Sequence, residues 1–338
     1  MKQKPLKIIL GAIITSFLII VASCQQVPTS QNMIIRSAYN TGWVEELFQT
    51  EIVNIGLEKL GYKVDKPKQS DYPIIYVSVA NGDLDYSVVY YQPGHEKFFK
   101  NAGGTAKLEG VGTLIPPGMQ GYQIDKKTAD KYNITNIEQL KDPEIAKLFD
   151  SDGDGKANLV GCNAGWACEL NIDHQIKAYG LEDTVEQNRG QYTVLLADAI
   201  TRYQQGEPII YYAYNPHWIS EVLKPGEDVI WLEVPFTSLP EEIGNLTKKD
   251  TSVDGKNLGF PRSKQGIVAN KEFLEVNPVA RKWFELVEIP VADMNAESLR
   301  IKEGESTEED ILRHAQEWVK NNQEKYDNWL ETARKVAN

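Results

Sequence analysis

The seven residues Cys162-Asn-Ala-Gly-Trp166-Ala-Cys168 hold the densest chemistry in the chain. Two cysteines bracket a glycine and a tryptophan, and a helical pattern follows at once, from Glu169 to Tyr179. A bond between the thiols would fix a short loop. The glycine would let the backbone turn so that the first free N–H groups of the helix face outward. An anion is drawn to such donors, and a cation to an indole face. One loop of this make-up suits both ends of a zwitterion. A redox dithiol is the rival reading, but such motifs are usually Cys-x-x-Cys, and here five residues intervene. A zinc site lacks a second Cys/His pair at zinc spacing.

The elements that would position this loop repeat one feature. Val89-Tyr-Tyr91-Gln-Pro93-Gly-His95 ends a β-rich run in the first half, and Tyr212-Ala-Tyr214-Asn-Pro216-His217-Trp218 ends one in the second half. Each sets an aromatic residue, one spacer and a proline just past a strand. A lone strand-end tyrosine is ordinarily core or edge. Ligands of open α/β sheets, however, lie beyond the carboxyl ends of strands. Two facing lobes would bring both ends to the Trp166 loop. Leu47, Phe48, Ile52, Ile55 and Leu60 recur at helical spacing and predict a helix from Val44 to Leu60. Strands alternating with helices predict an α/β fold with a largely parallel sheet. Pro116-Pro117-Gly118 is the candidate first crossing between lobes, and Gly266–Asn270 is a strand that returns the chain. The lobes are then 33–118 with 262–338, and 119–261. Leu239–Asn257 reads as a surface loop. From Ser306 the chain is helical, with its apolar stripe facing the body.

A second cluster is acidic. Asp150-Ser-Asp152-Gly-Asp154-Gly155-Lys-Ala-Asn158 places oxygen ligands at positions one, three, five and nine of a calcium-type loop, with glycine at six. Position twelve, where a bidentate glutamate belongs, is Gly161. Two readings stand: a structural calcium on Asp150, Asp152 and Asp154 that braces the Cys162 segment, or an acidic turn closed by its own hydrogen bonds.

Composition bounds the rest. The chain of 338 residues is long enough for two lobes or one large domain, and its 41% apolar and 25% charged content matches a soluble globular protein. A net charge of −12 argues against a nucleic-acid partner. Lys2, Lys4 and Lys7 precede an apolar run from Ile8 to Ala22, then Ser23 and Cys24. This is the pattern of a signal peptide, 1–23, and the run is short of the roughly 20 residues a membrane span needs. A cysteine directly after small residues resembles a bacterial lipobox, which implies acylation of Cys24, a tether over 24–32, and a lipid anchor in a bacterial membrane. Cys162 and Cys168 then remain as an even pair in an oxidising compartment. No Gly-x-Ser-x-Gly elbow, His-Glu-x-x-His or dinucleotide fingerprint occurs, and the histidines at 95, 174, 217 and 314 lack metal spacing. A binding module fits better than an exported enzyme.

Several segments together resemble the substrate-binding proteins of glycine betaine/proline betaine ABC importers: Gly121-Tyr-Gln-Ile-Asp-Lys-Lys-Thr-Ala-Asp130, Leu140-Lys-Asp-Pro143, Phe149 to Leu159, the Cys162–Cys168 loop, and Trp231-Leu-Glu-Val-Pro-Phe236. The resemblance runs from Val44 to the C-terminus. It implies a two-lobed periplasmic-binding-protein fold of type II with a ligand cleft, a monomer that delivers ligand to a membrane ABC permease, and no cofactor. In that family the quaternary ammonium sits among three tryptophans. Carried over by position, Trp166 is retained, while Tyr91 and Tyr214 stand at the other two walls. The ligand carboxylate is expected on the His95 side chain and the backbone N–H groups of Ala167 and Cys168. His217 and Trp218 would support the site, and Trp43 would stand near its mouth. A receptor for choline or another small zwitterion is the alternative. A quaternary ammonium has no N–H to donate, so its pocket is expected to lack carboxylates. Asp85, on the strand of Tyr91, is the acidic residue whose approach the sequence leaves open.

Overall fold

Two five-stranded sheets organise the chain. The computed structural model describes residues 34–41, 43–163, 166–243 and 246–337. The expected leader (1–23), the tether (24–32) and Cys24 lie outside them. The first sheet runs, edge to edge, Lys68–Ser70, Ser37–Asn40, Tyr86–Gln92, Lys264–Asn270 and Leu108–Ile115. The second runs Val229–Leu232, Gln120–Asp125, Ile210–Tyr214, Ala157–Val160 and Val185–Asn188.

Both sheets are mixed, which corrects the expectation of largely parallel pairing. Ser37–Asn40 is parallel to both its neighbours, and so is Ala157–Val160. Lys264–Asn270 and Gln120–Asp125 are antiparallel to both of theirs. These two strands adjoin the segments where the chain passes from one sheet to the other. A strand delivered by such a passage, and not by a helical crossover, is not held to the parallel direction.

Each sheet has its own core. Tyr122, Leu159, Leu196, Tyr211 and Phe260 pack about the second sheet. Ile52, Leu57, Trp283 and Tyr326 pack on one face of the first, and Ile75, Tyr76 and Val89 gather in a further cluster with Ala38 and Val268. The predicted first helix forms as Glu45–Lys59. It is clamped by the C-terminal segment: Trp283 Nε1 donates to the Val53 carbonyl at 3.0 Å, and the Tyr326 hydroxyl donates to the Ile52 carbonyl at 2.6 Å. Gly56 lets the indole approach, since a Cβ there would fall 2.2 Å from the Trp283 ring. The predicted C-terminal helix is two helices, Glu308–Asn321 and Gln323–Arg334, the first opened by a Thr307/Asp310 capping box.

Two details bear on the site. The segment read as a surface loop contains fully buried Thr251, whose hydroxyl donates to Asn257 Oδ1 at 2.7 Å, so polar sequence here fills an interior hydrogen-bond network. The passage after Leu108–Ile115 is sutured to the end of Ile210–Tyr214. Met119 N–H donates to Asn215 Oδ1 at 2.5 Å, and Asn215 N–H returns a bond to the Met119 carbonyl at 2.9 Å. A Cβ on Gly118 would stand 1.9 Å from the Asn215 carbonyl oxygen.

Candidate functional site

A cavity of about 690 Å³ draws its walls from both sheets. Tyr91 ends the strand Tyr86–Gln92 and Tyr214 ends Ile210–Tyr214; each is followed by a cis X–Pro bond, Gln92–Pro93 and Asn215–Pro216. Trp166 and Cys168 come from the bracketed loop, whose cysteines are joined as Cys162–Cys168. Of the predicted ligand residues, Tyr91, His95, Trp166, Cys168 and Tyr214 all line this cavity, as does Trp43. Ala167 sits between two lining residues and opens a helix, and its side chain is outside the described set. His217 and Trp218 are buried behind Tyr214 and line an adjoining cavity.

The helix Ala167–Ala178 starts at the cavity. Trp166 is its N-cap with an extended backbone and no side-chain cap bond. The first N–H groups of any helix have no acceptor within it, and they lie at its positive end. A carboxylate beside Trp166 would meet those donors. The loop is held from outside, because Asn163 Oδ1 accepts from the Tyr192 N–H at 2.7 Å. Tyr192 in turn fixes two walls. Its ring centroid lies 6.1 Å from Trp166 and 5.7 Å from Tyr214, stacked at 25° on the latter. Burial makes these tyrosines hard to ionise, so they present neutral rings.

The opposite wall is built around His95. Its ring meets Tyr72, Tyr91 and Phe98 at centroid distances of 4.5, 4.9 and 5.1 Å. Nδ1 is 2.8 Å from the Val89 carbonyl, which can only accept, so Nδ1 carries the proton. Burial pushes the His95 pKa down to about 4. In the neutral ring Nε2 is then an acceptor. His95 packs and aligns Tyr91 in this state, and it donates to a carboxylate only when protonated.

Carboxylates are present, against the expectation that the pocket lacks them. Asp85 is turned away, paired to Arg36 at 3.0 Å. Glu45 lines the cavity and accepts from the Ser298 hydroxyl at 3.0 Å. Glu46 stands behind the wall, fully buried. Its Oε1 accepts from the hydroxyls of Tyr91 at 2.7 Å and Tyr72 at 2.9 Å, and its Oε2 from the Asn40 N–H at 2.7 Å. Burial raises the Glu46 pKa to about 7 in spite of these bonds. Tyr72, Glu45, Glu46 and Ser298 were missed in the sequence. Acidic residues in a first helical turn are ordinarily solvated partners of the dipole, and nothing local marks Tyr72.

The acidic loop does bring Asp150, Asp152 and Asp154 together, their ligand oxygens within 4.8 Å of one another. The same oxygens close the loop. Asp150 accepts from the N–H groups of Gly153 at 2.7 Å and Gly155 at 2.9 Å, which hold its carboxyl below the usual range. Asn158 Oδ1 accepts from the Ser151 N–H at 2.6 Å.

The profile described as the substrate binding domain of ABC-type glycine betaine transport systems matches residues 35–321. The glycine betaine-binding periplasmic protein OusX of Dickeya dadantii is 50% identical over 294 residues, covering 87% of this chain and 88% of its own. The glycine betaine/proline betaine-binding periplasmic protein of Escherichia coli is 49% identical over 289 residues, covering 86% and 87%. Among solved structures, lactococcal OpuAC in its closed-liganded conformation with glycine betaine superposes with a TM-score of 0.57 at 18% identity, over 88% of this chain and 100% of that one. That likeness concerns the fold.

Proposed function

The chain belongs to the family of substrate-binding domains of ABC-type glycine betaine transport systems, and from that premise we propose that it captures glycine betaine or proline betaine and hands it to a membrane permease. It is a binding protein of a transporter and not an enzyme. The observation that carries the ligand reading is the pairing within one cavity of three ring faces, Tyr91, Trp166 and Tyr214, with the N-terminus of the helix Ala167–Ala178. The rings suit a methylated cation that can donate no hydrogen bond. The backbone N–H groups of Ala167 and Cys168 suit its carboxylate. Both partners act at fixed positions, because the disulfide, Asn163 and Tyr192 hold the loop.

Calorimetric titration of the pure protein with glycine betaine, proline betaine and choline tests this. The two betaines are expected to bind more tightly than choline, which has no carboxylate for the helix N-terminus. A flat titration with both betaines would remove the reading. The relatives are periplasmic proteins, and in this chain the export signal leads to Cys24, which we assign as the acylated residue that holds a monomeric receptor at the membrane. Replacing Cys24→Ser should move the protein to the soluble fraction; continued membrane association would place the anchor elsewhere.

A further inference from the structure

We infer that Glu46 sets the receptor's preference for a ligand with a cationic head, by placing a buried carboxylate directly behind the tyrosines that face the cavity. The inference rests on the betaine reading and adds a residue to it that makes no ligand contact. Glu46 is fully buried, and among the described residues its side chain accepts from the Asn40 amide and the Tyr72 and Tyr91 hydroxyls, all neutral. When ionised, a buried carboxylate held by neutral donors is a net negative charge with no cation to offset it, which is why burial raises its pKa. Tyr72 and Tyr91 both line the cavity with their rings while donating to Glu46 from their hydroxyls. A methylated cation resting on Tyr91 would therefore lie one ring's width from that charge, and would be its missing partner. The hydrogen bond also pushes electron density into the phenol ring, which strengthens the face a cation meets.

The groups around Glu46 agree in sign. Glu45 precedes it on the same helix and lines the cavity; burial raises its pKa as well, so its charge changes with pH in the same sense as that of Glu46. Tyr72 and Tyr91 are held protonated, with burial as the leading cause. His95, packed against both, stays neutral above about pH 4. Over the range in which Glu46 changes charge, around pH 7, its direct partners do not. A bound cation favours the carboxylate over the acid, so binding and ionisation are linked. Affinity should rise from pH 6 to pH 8 and level off above that.

Calorimetry with glycine betaine and with 3,3-dimethylbutanoate, its isostere with carbon in place of the charged nitrogen, separates charge from shape. For the unaltered protein, betaine affinity is expected to rise about fivefold between pH 6 and pH 8, and isostere affinity to change little. Glu46→Gln should weaken betaine about tenfold at pH 8, flatten its pH profile, and leave the isostere nearly unaffected. Tyr91→Phe keeps the carboxylate but removes a hydrogen bond that favours its ionised form, so the pH dependence should persist and move to higher pH. Equal weakening of both ligands by Glu46→Gln would make Glu46 a structural residue and overturn the inference. So would a betaine profile in the unaltered protein that is flat, or that rises toward acid as a protonated His95 would require; this arm needs no variant to fold. Absence of betaine binding at every pH would instead strike the receptor reading underneath.

Discussion

Trp166→Ala separates the cation end of the site from the anion end. The indole lines the cavity, and a cation on a desolvated aromatic face gains about 0.5–2 kcal/mol. Loss of the apolar surface against the ligand's methyl groups adds to this at about 0.8 kcal/mol for each buried methylene equivalent. The expected loss is about 2 kcal/mol, or roughly 30-fold in Kd. The anion end should survive. Trp166 caps the helix Ala167–Ala178 through its backbone alone, with no side-chain cap bond, and the disulfide still ties the loop at Cys168. The ligand-free protein loses mainly the indole's contact with Tyr192. Its thermal midpoint should therefore shift little, since removing one aromatic pair costs about 1 kcal/mol. The assay is calorimetry of the variant beside thermal unfolding without ligand, with Trp166→Phe expected to recover much of the affinity. Unchanged affinity would refute the reasoning. So would a collapse of the ligand-free midpoint that accounts for the lost binding, because the indole would then be a support of the fold and not a wall of the site.

Replacing Cys162 and Cys168 together with Ser should cost about 2 kcal/mol by the chain-entropy model and weaken betaine binding, since the loop that aims the helix N-terminus is no longer closed; unfolding in denaturant and calorimetry read the two effects separately. Gly118→Ala should lower the thermal midpoint by an amount equivalent to about 1–3 kcal/mol, because the new Cβ meets the Asn215 carbonyl oxygen at 1.9 Å; an unaltered midpoint would mean the passage between sheets is loose. Burial raises the Glu51 pKa to about 7. Its contribution to stability is present below its ordinary range near 4.5 and is lost as pH rises through about 7. Glu51→Gln should therefore be progressively more stable than the unaltered protein from pH 5 to pH 8 by thermal unfolding, and a difference that does not vary with pH would sink that account.

The cavity-lining residues Tyr91, Trp166 and Tyr214 were legible because their signals are local. Tyr91 and Tyr214 each precede a proline at a strand end, and Trp166 sits between two cysteines beside a helix start. The first helix was legible because its apolar residues return every three or four positions. Strand direction was not. Alternation of strands and helices suggested parallel pairing, but Gln120–Asp125 and Lys264–Asn270 join their sheets where the chain changes lobes and run antiparallel. The segment 239–257 is largely exposed or half-buried among its described residues, as a surface loop would be, but its polarity also serves the internal bonds of Thr251 and Asn257.

Sequence alone marked the side chains that the fold gathers in one cavity, because ring faces, thiol spacing and a helix start are properties of short segments. Tertiary structure alone decided the electrostatics of the receiving cavity. Glu46 is 45 residues from Tyr91 and 26 from Tyr72, and only the packing of the first helix beside the strand Tyr86–Gln92 and the start of the helix Tyr72–Asn81 brings the three together. The same packing excludes water, which raises the pKa of one carboxyl and lowers that of His95. Desolvation depends on what surrounds a group in space, and no pattern along the chain records it.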